Sequence, residues 1–312
     1  MRIVVFHPHR ATAIHWLEAL RAQLPAADVY LHTEGNNARA DYAAGWAPPE
    51  DFFRIHRELK AFFTTGAGVD RILSDPSVPA SMPIVRLEDA GMGAQMADYC
   101  VLEALRWMRL RDAYDVHKLE RKWRPLPAED SSHWPVGVFG LGQLGLHVAR
   151  AFVALGFPVN GYSRTPQSHP DIACYADNGG AGDFTAFMGA TRVLVIVAPL
   201  TEATRDLFGR AWLAKLQPSS YVINVARGAL LVDEALIELL DNGHIAGAAL
   251  DVFRKEPLPK DDPFWHHPRI RITPHIAAET LVEPSARQVA DKILSLERGE
   301  NITGIVDRQR GY

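Results

Sequence analysis

The stretch "VGVFGLGQLGLHVARAFVALGF", residues 136–157, leaves few folds open to this chain. Its first four residues are a short apolar run of the kind buried in a parallel sheet. Gly140, Gly142 and Gly145 follow in the spacing G-x-G-x-x-G. Leu144, Val148, Phe152 and Leu155 then recur at helical spacing, which predicts an amphipathic helix. In a strand–turn–helix unit these glycines have separate work. The first permits the tight turn, the second lets the backbone approach a pyrophosphate, and the third lets helix pack on strand. The helix start offers unpaired N–H groups to an anion. A G-x-G-x-x-G alone is weak evidence, but its place between strand and helix points to a dinucleotide site.

Such units usually carry an acid about 20 residues further on, to accept from the adenosine ribose. Here the following strand, "FPVNGYS", ends on Ser163, 18 residues beyond Gly145, and is followed by Arg164 and Thr165. An acid at that point would repel a 2′-phosphate. Serine removes the repulsion, arginine offers a planar cation suited to phosphate, and threonine adds a hydroxyl. The plain alternative is an ordinary surface turn. The reading adopted is a site for NADP(H), preferred over NAD(H).

The rest of the chain alternates in the same manner. "RIVVF", "DVYLH" and "AFFTT" read as strands in the first hundred residues. "TAIHWLEALRAQL" reads as a helix with Ile14, Leu17, Leu20 and Leu24 on one face. From Gly93 to Lys122 no further Gly or Pro intervenes, which predicts one long helix carrying Met96, Tyr99, Leu102, Leu105 and Met108. Beyond the glycine turn, "RVLVIVAP", "YVINVA", "GAALDVF" and "IRITP" continue the strands, and "EPSARQVADKILSLERG" is a final helix. "NGGAGD" at 178–183 reads as a loop. The pattern is an α/β protein with parallel sheets.

With 312 residues, 47% hydrophobic, the chain suits two compact domains or one large one. A net charge of −4 gives no reason to expect nucleic acid. No apolar run reaches the 18 or so residues of a membrane helix, and the opening "MRIVVFHPHR" reads as a strand and not a signal peptide. Cys100 and Cys174 stand in no metal or redox spacing, which fits the cytoplasm. "HPH" at His7–His9 and "HH" at His266–His267 lack partners at ligand spacing, so no metal is expected.

Three polar residues stand just after predicted strands: Arg227, Glu256 and His275. Strand ends are where an open α/β sheet binds ligands. Reducing a carbonyl requires a proton at its oxygen, and histidine, with an ordinary pKa of about 6.5, is a natural donor. A glutamate nearby favours the protonated ring. An arginine can hold a carboxylate and polarise the carbonyl. Taken singly, each has an ordinary alternative: a surface charge, half a salt bridge, a satisfied loop histidine. Spacing does not decide between them.

The chain resembles the D-isomer-specific 2-hydroxyacid dehydrogenase family, and within it the bacterial glyoxylate and hydroxypyruvate reductases. The matching stretches are "TTGAGVDRIL", "RLEDAGMGAQMADY", "VGVFGLGQLG", "YSRT", "PLTEATRDLF", "INVARGALLVDEAL", "ALDVFRKEPLP", "ITPHIAA" and "VDRQRGY". The resemblance implies two Rossmann-like domains with the active site in the cleft between them. Residues 1–99 with 282–312 would bind substrate, and 100–281 would bind NADP. It implies Arg227 as substrate clamp, Glu256 as partner and His275 as acid/base. Cofactor contacts would come from Gly140, Leu141, Gly142, Gln143, Leu144, Gly145, Ser163, Arg164 and Thr165. Pro199, Leu200, Thr204, Val225, Ala226 and Ala277 would add to them, with Asp251 near the nicotinamide amide. Gly66, Ala67 and Gly68 would lend N–H groups to the substrate carboxylate, with Trp46 and Met92 close by. The implied reaction is NADPH-dependent reduction of glyoxylate to glycolate and of hydroxypyruvate to D-glycerate, by a homodimer. Two other readings stay open: a related dehydrogenase for phosphoglycerate or a larger 2-keto acid, and a nucleotide-sensing interaction protein on the same fold.

Overall fold

A computed structural model describes residues 1–33, 38–127, 129–177 and 181–312. Its contacts divide the chain into two units, Met1–Met92 with Thr280–Tyr312, and Gly93–Glu279. Both crossings fall a few residues before the boundaries expected from the sequence.

The first unit opens with β1 (Arg2–Phe6), α1 (Arg10–Gln23), β2 (Asp28–Leu31) and β3 (Tyr42–Gly45). It continues with α2 (Phe52–Ile55), β4 (Ala61–Thr64), α3 (Asp70–Leu73) and β5 (Ile84–Val85). These strands form one parallel sheet in the order β2-β1-β3-β4-β5. Ala13, Trp16 and Leu20 are the buried face of α1, whereas Ile14 is exposed. The expected face was therefore rotated, because the sequence reading passed over the small Ala13 and the bulky Trp16.

The second unit begins with α4 (Met92–Met108) and α5 (Arg111–Leu119), where one long helix was expected. The break is at Leu110, held at φ +53°. It brings charged side chains of the two helices together. In a continuous helix, Arg106 and Asp112 would lie on different faces. The turn lets Arg106 Nε donate to Asp112 Oδ1 (2.8 Å), which also accepts from Arg271 Nη1 (2.7 Å). Within α4 the buried residues include Met92, Met96, Ala97, Cys100, Glu103, Ala104 and Met108, and Leu102 is exposed.

There follow β6 (Val136–Phe139), α6 (Gln143–Ala154), β7 (Val159–Ser163), β8 (Ile172–Ala176), α7 (Ala181–Gly189) and β9 (Val193–Ile196). Then come α8 (Arg210–Leu213), β10 (Ser220–Asn224), α9 (Asp233–Asp241), β11 (Ile245–Leu250) and β12 (Ile270–Ile272). Of the expected 178–183 loop, residues 178–180 lie outside the described residues, and Ala181–Asp183 are the first turn of α7. All seven strands are parallel, in the order β12-β11-β10-β9-β6-β7-β8. The chain therefore reverses direction across the sheet between β6 and β9, the point at which open sheets bind nucleotides. Alternate residues of the strands feed separate cores on the two faces. Leu194, Ile196 and Val222 enter one; Val193, Val195 and Tyr221 enter the other. The chain returns to the first unit as α10 (Val282–Glu297), which packs on α1.

Candidate active site

The turn after β6 fits its glycines one by one. Gly140 adopts φ +108°, and a Cβ there would lie 2.8 Å from the backbone nitrogen of Ala198. A Cβ on Gly145 would run into the carbonyl oxygen of Gly140, so only glycine lets α6 seat on its strand. Gly142, the residue that opens α6, has nothing within 4 Å of its Cβ position. The helix start thus faces open space, with no acidic residue in its first turn. Those features suit a pyrophosphate. Leu141 is buried against Gly161, Leu144 is half-buried and Gln143 is exposed. Leu155 is exposed and does not continue the buried face of α6.

At the end of β7, Ser163 is 7% exposed, and its Oγ donates to the carbonyl of Thr165 (2.8 Å). This bond curls the chain so that Arg164 and Thr165 stand exposed just past the strand. After β9, Thr204 Oγ1 donates to the Pro199 carbonyl (2.8 Å) and accepts from Thr201 N–H (2.8 Å), closing the turn that holds Leu200.

The ends of β10, β11 and β12 carry the chemical residues. Asn224 is fully buried. Its Oδ1 accepts from Ala226 N–H (3.1 Å) and its Nδ2 donates to the Arg227 carbonyl (3.0 Å). The turn bearing Val225, Ala226 and Arg227 is thereby fixed from below. Glu256 uses both carboxylate oxygens. Oε1 accepts from Phe253 N–H (2.9 Å), and Oε2 pairs with His275 Nδ1 (2.8 Å). Burial pushes the Glu256 carboxyl upward, but His275, the Phe253 N–H and the Arg227 charge outweigh it and hold it below the usual range. Glu256 is therefore an anion at neutral pH and only accepts. Nδ1–H must be the donor, which leaves Nε2 of His275 to carry a reacting proton.

His275 itself adopts φ +57°, a left-handed conformation that costs a non-glycine residue about 1 kcal/mol or more. Asp251 secures it. The Asp251 carbonyl accepts from His275 N–H (2.9 Å). Its carboxylate accepts from Thr273 Oγ1 (2.6 Å), Ile276 N–H (2.8 Å) and Ala277 N–H (2.8 Å). Asp251 is 0% exposed and Ala277 is buried. Sequence reasoning missed Asn224 and Thr273; neither has a signal beyond adjacency to a candidate residue.

In the first unit, Trp46 lies across Gly66, for a Cβ on Gly66 would fall 2.8 Å from the Trp46 ring. Trp46 and Gly68 line a cavity of about 320 Å³, together with Arg71. Neither Ala67 nor Met92 lines it, and Met92 is buried.

Residues 101–277 match the model of the D-isomer specific 2-hydroxyacid dehydrogenase NAD binding domain. The glyoxylate/hydroxypyruvate reductase A of Klebsiella pneumoniae subsp. pneumoniae is 43% identical over the whole of both chains. A Xanthobacter autotrophicus D-isomer specific 2-hydroxyacid dehydrogenase, solved with NADPH and MES, superposes with a TM-score of 0.94 at 34% identity. It covers 100% of this chain and 99% of its own. An NADPH-dependent glyoxylate/hydroxypyruvate reductase of Sinorhizobium meliloti, solved with NADP and sulfate, gives 0.92 at 32% identity with the same coverage.

Proposed function

The chain belongs to the D-isomer specific 2-hydroxyacid dehydrogenase family, and we propose that it reduces glyoxylate to glycolate and hydroxypyruvate to D-glycerate with NADPH. The observation that carries this reading is the His275–Glu256 pair at the carboxyl ends of the sheet that also bears the glycine turn. NADPH, when bound, supplies the hydride. Its pyrophosphate would rest on the backbone of Gly140–Gly145, with Pro199, Leu200, Thr204, Val225, Ala226 and Ala277 as further contacts. The ribose phosphate would meet Ser163, Arg164 and Thr165.

The protein's own residues supply the rest. Arg227 takes the substrate carboxylate and draws charge from the adjacent carbonyl. His275 gives the Nε2 proton to the carbonyl oxygen as the carbon is reduced. Glu256 orients the ring through Nδ1. Asp251 holds the segment that carries His275 and is assigned to the nicotinamide amide. In the first unit, Trp46, Met92 and the N–H groups of Gly66, Ala67 and Gly68 are assigned to substrate.

Cofactor choice tests the reading directly. The unmodified protein is expected to show a higher kcat/KM with NADPH than with NADH. Ser163→Asp should erase or reverse that preference, by placing an anion beside the 2′-phosphate. Equal kcat/KM for the two cofactors in the unmodified protein would remove the phosphate-binding role of Ser163–Thr165.

The same reading has the protein work as a homodimer in the cytoplasm. Helix α5 buries none of its own residues, and Leu119 is 83% exposed, with Val116 and Trp123 exposed beside it in sequence. A face of that kind suits a second copy of the chain. Leu119→Asp should shift the sedimentation coefficient from dimer to monomer; a monomeric unmodified protein would dispose of the idea. Both cysteines are free thiols, in keeping with a reducing compartment.

A further inference from the structure

Helix α4 carries a polar stripe that the reaction as described does not use. Gln95, Tyr99 and Glu103 recur every fourth residue and so share one face. All three bond to the segment around His275. Gln95 Nε2 donates to the Glu279 carbonyl (3.0 Å), and Gln95 Oε1 accepts from Glu279 N–H (3.2 Å). Tyr99 Oη lies 2.6 Å from Thr273 Oγ1. Glu103 Oε2 accepts from Arg271 Nε (2.9 Å). The helix therefore grips residues 271–279 at both ends and in the middle.

The middle contact is the informative one. The Asp251 carboxylate is an acceptor for the N–H groups of Ile276 and Ala277, and the 2.6 Å bond from Thr273 Oγ1 to its Oδ1 is given by the threonine. The threonine hydroxyl has one proton, and its oxygen must then accept from Tyr99. The result is a directed chain, Tyr99 O–H to Thr273 Oγ1–H to Asp251 Oδ1. Asp251 in turn binds the N–H groups of Ile276 and Ala277, on the C-terminal side of His275, and its carbonyl binds that of His275 itself. His275 stands in the left-handed region, where a histidine stays only if its surroundings compel it.

We propose that Tyr99 and Thr273 are positioning residues for the reaction, setting the place of the His275 imidazole through the carboxylate of Asp251. Neither touches substrate. Each acts by fixing a segment that lies past the end of β12, outside any helix or strand. A misplacement of the acid by about 1 Å is enough to cost a reaction 10²-fold, so a loose segment lowers turnover before it lowers binding. The proposal rests on His275 being the acid of the reading above.

The test combines kinetics with hydrogen exchange on the full-length protein. Thr273→Val keeps the shape but removes the acceptor for Tyr99 and the donor to Asp251. Its kcat for glyoxylate should fall at least tenfold, with KM for glyoxylate within about twofold of the unmodified value and Kd for NADPH changed by less than kcat. Peptides covering 273–279 should exchange their amides faster, and the strands of the sheet should not. Thr273→Ser restores both bonds and should bring kcat back to within about threefold. Tyr99→Phe breaks only the first link and should give a smaller change in the same direction; it carries the test if Thr273→Val does not fold. The proposal fails if both variants keep full kcat and the 273–279 amides stay protected. It fails equally if the serine variant gives no rescue, or if exchange rises throughout the protein. Should the unmodified protein reduce no 2-keto acid, the reading of His275 falls, while exchange still decides whether the chain holds the segment.

Discussion

His275→Gln is expected to lower kcat for glyoxylate reduction by roughly 10²–10⁴-fold, the usual worth of a positioned proton donor. Glutamine retains a polar group of similar reach but has no proton to give. Binding of NADPH should change by less than about twofold, because the glycine turn and the Ser163–Thr165 curl belong to other strand ends. The partner variant sharpens the assignment. Burial pushes the Glu256 carboxyl upward, but His275, Phe253 N–H and Arg227 hold it below the ordinary carboxylate range, so it is charged at neutral pH. Reduction requires the imidazolium, and its rate falls as pH rises and the ring loses its proton. Oxidation requires the neutral ring and has the opposite limb. Removing the charge in Glu256→Gln favours the neutral ring, so the reductive limb should move to lower pH. The displacement is about one pH unit per 1.36 kcal/mol of lost interaction. A pH profile of kcat/KM in the three proteins measures both effects. Near-normal turnover in His275→Gln would transfer the acid's role to a bound water or another group. An unshifted profile in Glu256→Gln would leave Glu256 a structural partner only.

How far such a site can be read from the sequence depends on where its forces originate. The β6–α6 unit was legible because every determinant is local: an apolar run, three glycines at fixed spacing, and a helical repeat. The strand-end residues Arg227, Glu256 and His275 were legible as candidates for the same reason. The missed strands lack that signal. β3 is "YAAG" and β8 is "IACYA", where alanine and glycine replace the β-branched residues that mark a strand, and β5 has two residues only. The break between α4 and α5 has neither glycine nor proline to announce it. It goes with the bonds of Asp112 to Arg106 and also to Arg271, 159 residues away. The support beneath His275 is of the same kind. Tyr99 and Thr273 are 174 residues apart, and Asp251 and Thr273 are 22 apart. Spacing along the chain holds no record of a partnership made only when β11, β12 and α4 come together.

Arg227→Ala should produce the other large effect, and of a different kind. A guanidinium fork can give a carboxylate two charge-assisted hydrogen bonds, each worth about 1.5–3 kcal/mol. Losing both corresponds to about 10²–10⁴-fold in kcat/KM for glyoxylate. The main chain of the turn has a support of its own. Asn224 holds that turn through the Ala226 N–H and the Arg227 carbonyl, both backbone groups. The Nη1 bond of Arg227 to the Ala226 carbonyl (2.7 Å) only steadies the guanidinium. Fold and NADPH affinity should therefore survive, and Arg227→Lys, a point charge without the fork, should recover only part of the loss. The decisive comparison is with aldehydes that have no carboxylate. They should be poor substrates for the unmodified enzyme and should lose less than glyoxylate in Arg227→Ala, since only the contact to the carbonyl is theirs to lose. If simple aldehydes react as well as glyoxylate, or if Arg227→Ala penalises both classes alike, the arginine acts on the carbonyl alone and the carboxylate is recognised elsewhere.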